Sequence, residues 1–149
     1  MTLMNFSLPA TGDATFDSIS VRGKNLVIYF YPKDNTPGCT TESIQFRDLY
    51  PAFQQADCEV VGISRDSMKS HENFKAKFTL PFALLSDTEE TVCNQFGVIK
   101  QKMMYGKQVR GIERSTFVFD RNGHLRHEWR KLKADGHAAE VLEFVRTLG

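Results

Sequence analysis

The sequence has little with which to cross-link itself, cross a membrane or attract a polyanion. Its three cysteines include no C-x-x-C pair, so they fit neither a disulfide framework nor a zinc site, and the odd count leaves at least one thiol free. No apolar run approaches the ~20 residues that a membrane span needs. The first residues, MTLMNFSLPATG, lack the basic flank and long apolar core of a signal peptide, so a cytoplasmic location is expected. Nineteen Lys and Arg stand against 18 Asp and Glu, a formal net charge of +1. That balance gives no long-range field for nucleic acid or an anionic membrane, and neither is an expected partner. Internal repeats and low-complexity segments are absent. The four histidines have no metal spacing: His124 and His127, three apart in a strand, face opposite sides, while His71 and His137 fall on different helices, where solvated or capping roles are expected. No metal and no cofactor is expected. The 149 residues suffice for a single domain, 1–149, burying about 70% of its unfolded surface.

What the sequence does contain is centred on residues 25–42, NLVIYFYPKDNTPGCTTE. Residues 26–31 are an unbroken β-branched and aromatic run, the pattern of a strand buried on both faces. Pro32 stops it, and the following KDNTPG is rich in turn and cap formers. Thr40, Thr41 and Glu42 suit the first turn of a helix, so Cys39 falls where strand passes to helix. Unpaired N–H groups and the positive end of the helix dipole favour an anion there, and hence the nucleophilic thiolate over the thiol.

The other elements follow the same logic. Phe6, Leu8, Phe16, Ile19 and Val21 around the turn at 11–13 predict an N-terminal hairpin on one sheet edge. Ile44, Phe46, Leu49 and Phe53 recur at helical spacing, with Pro51 expected to kink or restart that helix. Residues 59–64 read as a second buried strand. A helix carrying Ser67, His71, Phe74 and Phe78 on one stripe follows, with Asp66 as its cap. A third strand is expected over 82–85, then a helix with Asp87 and Glu90 at capping-box spacing, ended by Gly97. The polar, basic segment to Glu113 reads as a loop; its Lys100, Lys102, Lys107 and Arg110 fit a solvated face better than a docking surface. Arg114 opens a strand over 115–119, which turns through Asn122-Gly123 into 125–129. A last helix aligns Val141, Leu142, Val145 and Leu148.

Pro32, Thr36 and Cys39 match the peroxiredoxin active-site pattern P-x-x-x-T-x-x-C, and YPKDNTPGCTTE resembles the bacterioferritin comigratory protein, or peroxiredoxin Q, branch. VVGISRDS at 60–67, FALLSD at 82–87 and MYGKQVRGIERSTFVFDRNG at 104–123 resemble that branch too. The element order agrees with a thioredoxin-like α/β fold, a mixed central sheet with helices on both faces. The resemblance implies a thiol peroxidase acting on hydrogen peroxide and alkyl hydroperoxides, with thioredoxin, glutaredoxin or glutathione as reductant, in a monomer. By it, Cys39 is the nucleophile, Thr36 offers a hydroxyl to the peroxide, Pro32 shields the pocket and Arg114 approaches thiolate and peroxide. Glu42, three residues after Cys39, is placed to orient Arg114 through a charge-assisted pair.

Each residue alone has a plainer reading: Cys39 as a small buried hydrophobe, Thr36 as a turn former, Arg114 as a surface ion-pair partner. Their conjunction carries the weight. Where the branch commonly places a resolving cysteine, five residues after the first or on the following helix, this chain has Ile44 and Lys75. A one-cysteine cycle with external thiol is therefore expected. Cys93 or Cys58 as resolving residue is the alternative, although ordinary packing suits both. A different class, a non-catalytic thioredoxin-like binding or redox-sensing module, also stays open, because fold alone does not exclude it. A disulfide oxidoreductase is the weakest reading, for want of C-x-x-C.

Overall fold

The computed structural model describes residues 1–148. Strands β1 (Ser7–Ala10) and β2 (Ala14–Asp17) form the N-terminal hairpin, with Gly12 and Asp13 at φ +83° and +53° in its turn. Then come β3 (Asn25–Phe30), α1 (Pro37–Gln55), β4 (Cys58–Ser64), α2 (Met68–Phe78), β5 (Leu84–Ser86) and α3 (Thr91–Gln95). Next are β6 (Ile99–Met104), β7 (Lys107–Ile112), β8 (Ser115–Phe119), β9 (Leu125–Arg130) and α4 (His137–Arg146). The main sheet has the order β2-β1-β5-β4-β3-β8-β9. Strands β3, β4 and β5 are parallel, and the flanking strands antiparallel. This is the thioredoxin-like mixed sheet, edged by the expected N-terminal hairpin.

Strand β3 lies at the centre because it can bury both faces. Leu26, Ile28 and Phe30 enter one core with Val92, Cys93 and Phe96 of α3. Val27, Tyr29 and Tyr31 enter the other, with Phe46 and Phe53 of α1, Phe74 of α2, and Val141 and Val145 of α4. The alternation is the period of two of a strand. Gly62 of β4 pairs with Tyr29, and its missing side chain makes room for the phenol: a Cβ there would lie 2.8 Å from Tyr29 Cζ.

Several local expectations are corrected. Pro51 does not restart the helix: α1 runs through it, since Phe46 and Phe53 on either side are both fully buried and hold the two halves in register. The cap of α2 is Ser67, whose Oγ accepts from Ser70 N at 3.2 Å; Asp66 instead accepts from the Asp34 N–H. Asp87 and Glu90 form no capping box. Glu90 takes the left-handed conformation before α3 (φ +65°), its carboxylate turned to Arg65 and Arg110, while Asp87 Oδ2 accepts from Cys93 N.

The basic stretch before Glu113 is no loop but the separate β6–β7 hairpin. Tyr105 and Gly106 at its tip both have positive φ, 53° and 77°, the requirement of a type I′ turn. His71 and His137 are neither solvated nor capping residues. Both are buried: His71 bonds Asp34 and the Leu85 carbonyl, and His137 Nε2 lies 2.8 Å from Thr116 Oγ1. Among the described residues no helix is long and apolar enough to cross a membrane.

Candidate active site

The end of β3 delivers the chain to a six-residue connection, Tyr31 to Thr36, and α1 then starts at Pro37, two residues before Cys39. Proline suits that first position, where an N–H has no helical partner and φ is already set. Thr36 is the N-cap residue, but its hydroxyl does not cap the helix. It donates to the Lys33 carbonyl at 2.8 Å, which leaves the oxygen lone pairs as acceptors toward a ligand. Pro32 is half-buried in the same loop. Cys39 therefore stands in the first turn of a 19-residue helix, within reach of the partial positive charge of its N-terminus, and is 1% exposed.

Arg114 arrives from the neighbouring strand. Ser115 pairs with Phe30, which puts Arg114 just past the end of β3, level with the loop. Its Nη2 donates to Cys39 Sγ at 3.4 Å and its Nη1 to Glu42 Oε1 at 2.7 Å. One planar guanidinium thus spans the sulfur and a carboxylate one helical turn further on, a use of the fork that an ammonium does not match. Gly38 allows this approach, since a Cβ there would stand 3.0 Å from Arg114 Nη2. The sequence offered only a hint of it, a glycine beside the cysteine.

Glu42 is wholly buried, and its Oε2 has no hydrogen-bond partner among the described residues. Burial pushes its carboxyl up to about 7, against the pull of Arg114. For Arg114 burial works against the charge, yet Glu42 and Cys39 outweigh it and hold the guanidinium above its ordinary value. A carboxyl raised on folding adds stability that is fully present below its unfolded value, near 4.5, and lost as pH rises through about 7. Glu42→Gln is expected to flatten that part of the profile, so that the variant gains on the wild type between pH 5 and 8; urea midpoints across that range check it.

The other two thiols are remote. Cys58 begins β4 opposite Asn25, at the far end of the strand from Cys39, about 17 Å along β3 at ~3.3 Å per residue. Cys93 packs with Phe30 and Phe96 on the other face of the sheet. Burial pushes both thiols far above the ordinary range, and all three cysteines are free. The site thus unites Cys39, Arg114 and Glu42 by direct contact, with Thr36 and Pro32 in the loop beside them, and leaves Cys58 and Cys93 outside.

Asp34, Asp66 and His71 bring possible ligand atoms within 4.8 Å of one another. Those facing atoms are engaged with protein partners: Asp34 with Tyr31, Ser70 and His71, Asp66 with Asp34 N and Ser64, and His71 also with Leu85. The donor set is a hydrogen-bonded network, not an open coordination shell.

Residues 2–128 match the model of the AhpC/TSA family. The chain is 47% identical over 137 residues to a putative peroxiredoxin Bcp of Coxiella burnetii, covering 92% of this chain and 91% of that one. It is 57% identical over 120 residues to the peroxiredoxin Bcp of Xanthomonas campestris, covering 80% and 75%. A structure concerned with the alkyl peroxide reduction activity of the Xanthomonas campestris bacterioferritin comigratory protein superposes with a TM-score of 0.92 at 46% identity, over 97% of this chain and 96% of that one. With a thiol held between a helix N-terminus and a buried guanidinium, the chain belongs to the AhpC/TSA family and, within it, to the peroxiredoxins of the bacterioferritin comigratory protein branch, which are thiol-dependent peroxidases.

Proposed function

We propose that Cys39 is the peroxidatic nucleophile and reduces hydrogen peroxide and alkyl hydroperoxides in a one-cysteine cycle. The thiolate attacks the nearer peroxide oxygen; the S–O bond forms as the O–O bond breaks, and the leaving oxygen takes a proton to depart as water or alcohol. Cys39 is left as sulfenic acid. Negative charge moves from sulfur onto the departing oxygen, so donors aimed along that path act mainly in the transition state. Arg114 serves sulfur and peroxide together, Glu42 holds its guanidinium, Thr36 accepts the peroxide O–H, and Pro32 keeps water from the pocket.

The observation that carries this reading is the division of one guanidinium between Cys39 Sγ and buried Glu42. A buried ion pair is costly to build, and a binding module that used only its surface would have no need of one aimed at a thiol. The cycle closes when an external thiol attacks the sulfenic acid, expelling water to form a mixed disulfide, and a second thiol releases Cys39. Glutathione, a glutaredoxin or a thioredoxin would serve. Three free thiols suit a reducing compartment, the cytoplasm. The exposed large apolar side chains, Met1, Ile19, Met103, Tyr105 and Val109, are divided between the N-terminal region and the β6–β7 hairpin, which suits a monomer.

Bridging by Cys58 or Cys93 needs Cα atoms about 4.4–6.8 Å apart, and neither partner nears Cys39 without taking apart a strand end or a core. The test is mass spectrometry after one equivalent of peroxide with a sulfenic-acid trap present. A tagged Cys39 is expected. Prompt loss of two hydrogens, with a Cys39–Cys93 or Cys39–Cys58 linked peptide, overturns the one-cysteine cycle.

A further inference from the structure

The two sides of the proposed peroxide cradle are fixed by different parts of the fold. Arg114 extends from the end of a sheet strand and is braced by Glu42. Thr36 hangs on the loop after β3, where Pro32 has no N–H to give and Asn35 sits at φ +60°. One residue fastens that loop from beneath. Asp34 is 6% exposed; its N–H donates to Asp66 Oδ2 at 2.9 Å. Its Oδ1 accepts from Tyr31 Oη at 2.6 Å, and its Oδ2 accepts from Ser70 Oγ at 2.8 Å and lies 2.7 Å from His71 Nδ1. Ser70 and His71 belong to α2. The loop is therefore tied to that helix through one carboxylate, two residues before Thr36.

Hydrogen-bond accounting fixes the proton content of this tie. His71 Nε2 lies 2.9 Å from the Leu85 carbonyl, which can only accept, so Nε2 carries a hydrogen. The short Nδ1–Oδ2 contact then needs a second hydrogen, placed on the imidazole or on the carboxyl. His71 has no exposed surface, so water cannot replace either bond, and losing one leaves a buried polar atom unpaired. His71 thus connects two points: the active-site loop at Nδ1, and β5 at Nε2.

We infer that Asp34 and His71 are positioning residues of the peroxidase site, in which the Nδ1 bond sets the loop carrying Thr36 against Arg114 while the Nε2 bond serves stability alone. The inference rests on the reading of Cys39, Thr36 and Arg114 given above. Its distinguishing consequence is that the two ends of one imidazole have separable effects. An asparagine amide occupies the place of Nδ1 and keeps the bond to Asp34; a glutamine amide reaches the place of Nε2 and keeps the bond to Leu85.

The experiment compares wild type, His71→Asn and His71→Gln in rapid-quench trapping of the Cys39 sulfenic acid with hydrogen peroxide, alongside urea unfolding. Both variants are expected to unfold at lower urea. His71→Asn is expected to oxidise within about threefold of wild type and His71→Gln about 10- to 100-fold more slowly, the scale of a cradle misplaced by an ångström. Equal rates in the two variants, fast or slow, overturn the inference. Should either variant fail to fold, Asp34→Ala makes the same test: folded protein that oxidises at the wild-type rate overturns it, and a loss of tenfold or more supports it. Failure of the underlying reading is separately visible, because wild-type protein would then yield no tagged Cys39.

Discussion

Cys39→Ser is expected to bring peroxide turnover down to background, while Cys58→Ser and Cys93→Ser keep most of the fast oxidation step. The serine hydroxyl in the same first turn would meet the same helix end and the same guanidinium, but an alkoxide is far harder to form than a thiolate, and oxygen lacks the affinity of sulfur for a peroxide oxygen. Cys58 and Cys93 are buried where burial opposes the thiolate, and the nearest change to them is lost packing of one sulfur. Peroxide consumption with dithiothreitol as reductant measures all three, since a small thiol needs no docking surface. Turnover of the Cys39→Ser protein at even a tenth of the wild-type rate would show that another group carries the reaction.

Much of this site could be read from the residues because its parts lie close in sequence. The apolar run ending at Tyr31, Pro32 and the turn and cap formers after it dictate strand, loop and helix, and so put Cys39 at the passage from strand to helix; α1 begins two residues earlier, at Pro37, which sets Cys39 in its first turn. Glu42 follows from helical spacing. Arg114 is distant in sequence, and only the family pattern linked it to Cys39; the antiparallel pairing of β8 with β3 is what brings them together.

Most of the misreadings share a cause: a polar side chain whose partner lies elsewhere in the chain. His71 looked like a surface residue because nothing nearby in sequence shows that Asp34 and Leu85 will enclose it. Asp66 looked like a cap, but its carboxylate accepts from Ser64 Oγ and from an N–H 32 residues away. Glu90 had capping spacing, but two arginines from other elements claimed its carboxylate. The β6–β7 hairpin was hidden differently. Its strands, IKQKMM and KQVRGI, carry no regular alternation of apolar and polar residues to mark them, and Tyr-Gly stands where Asn-Gly would have announced the turn.

Arg114→Ala is expected to slow oxidation of Cys39 by about 10²-fold or more, the scale of losing one preorganised donor to transition-state charge. The loss exceeds that of a surface ion pair because the guanidinium is mostly buried and its two partners are almost wholly so. Its removal also strips Glu42 of its only hydrogen-bond partner among the described residues. A carboxyl already raised by burial then rises further and takes up a proton, so the variant keeps its fold without leaving a bare charge in the core. Arg114→Lys separates charge from geometry: an ammonium restores a positive charge but does not span Sγ and Oε1 at 3.4 and 2.7 Å as the fork does, and only part of the rate should return. Thr36→Val tests the opposite wall. It removes the acceptor for the peroxide O–H and the bond to the Lys33 carbonyl, and should cost a similar order in rate. Stopped-flow oxidation of each variant against peroxide concentration makes the comparison, and an Arg114→Ala rate within a few-fold of wild type would remove Arg114 from the mechanism.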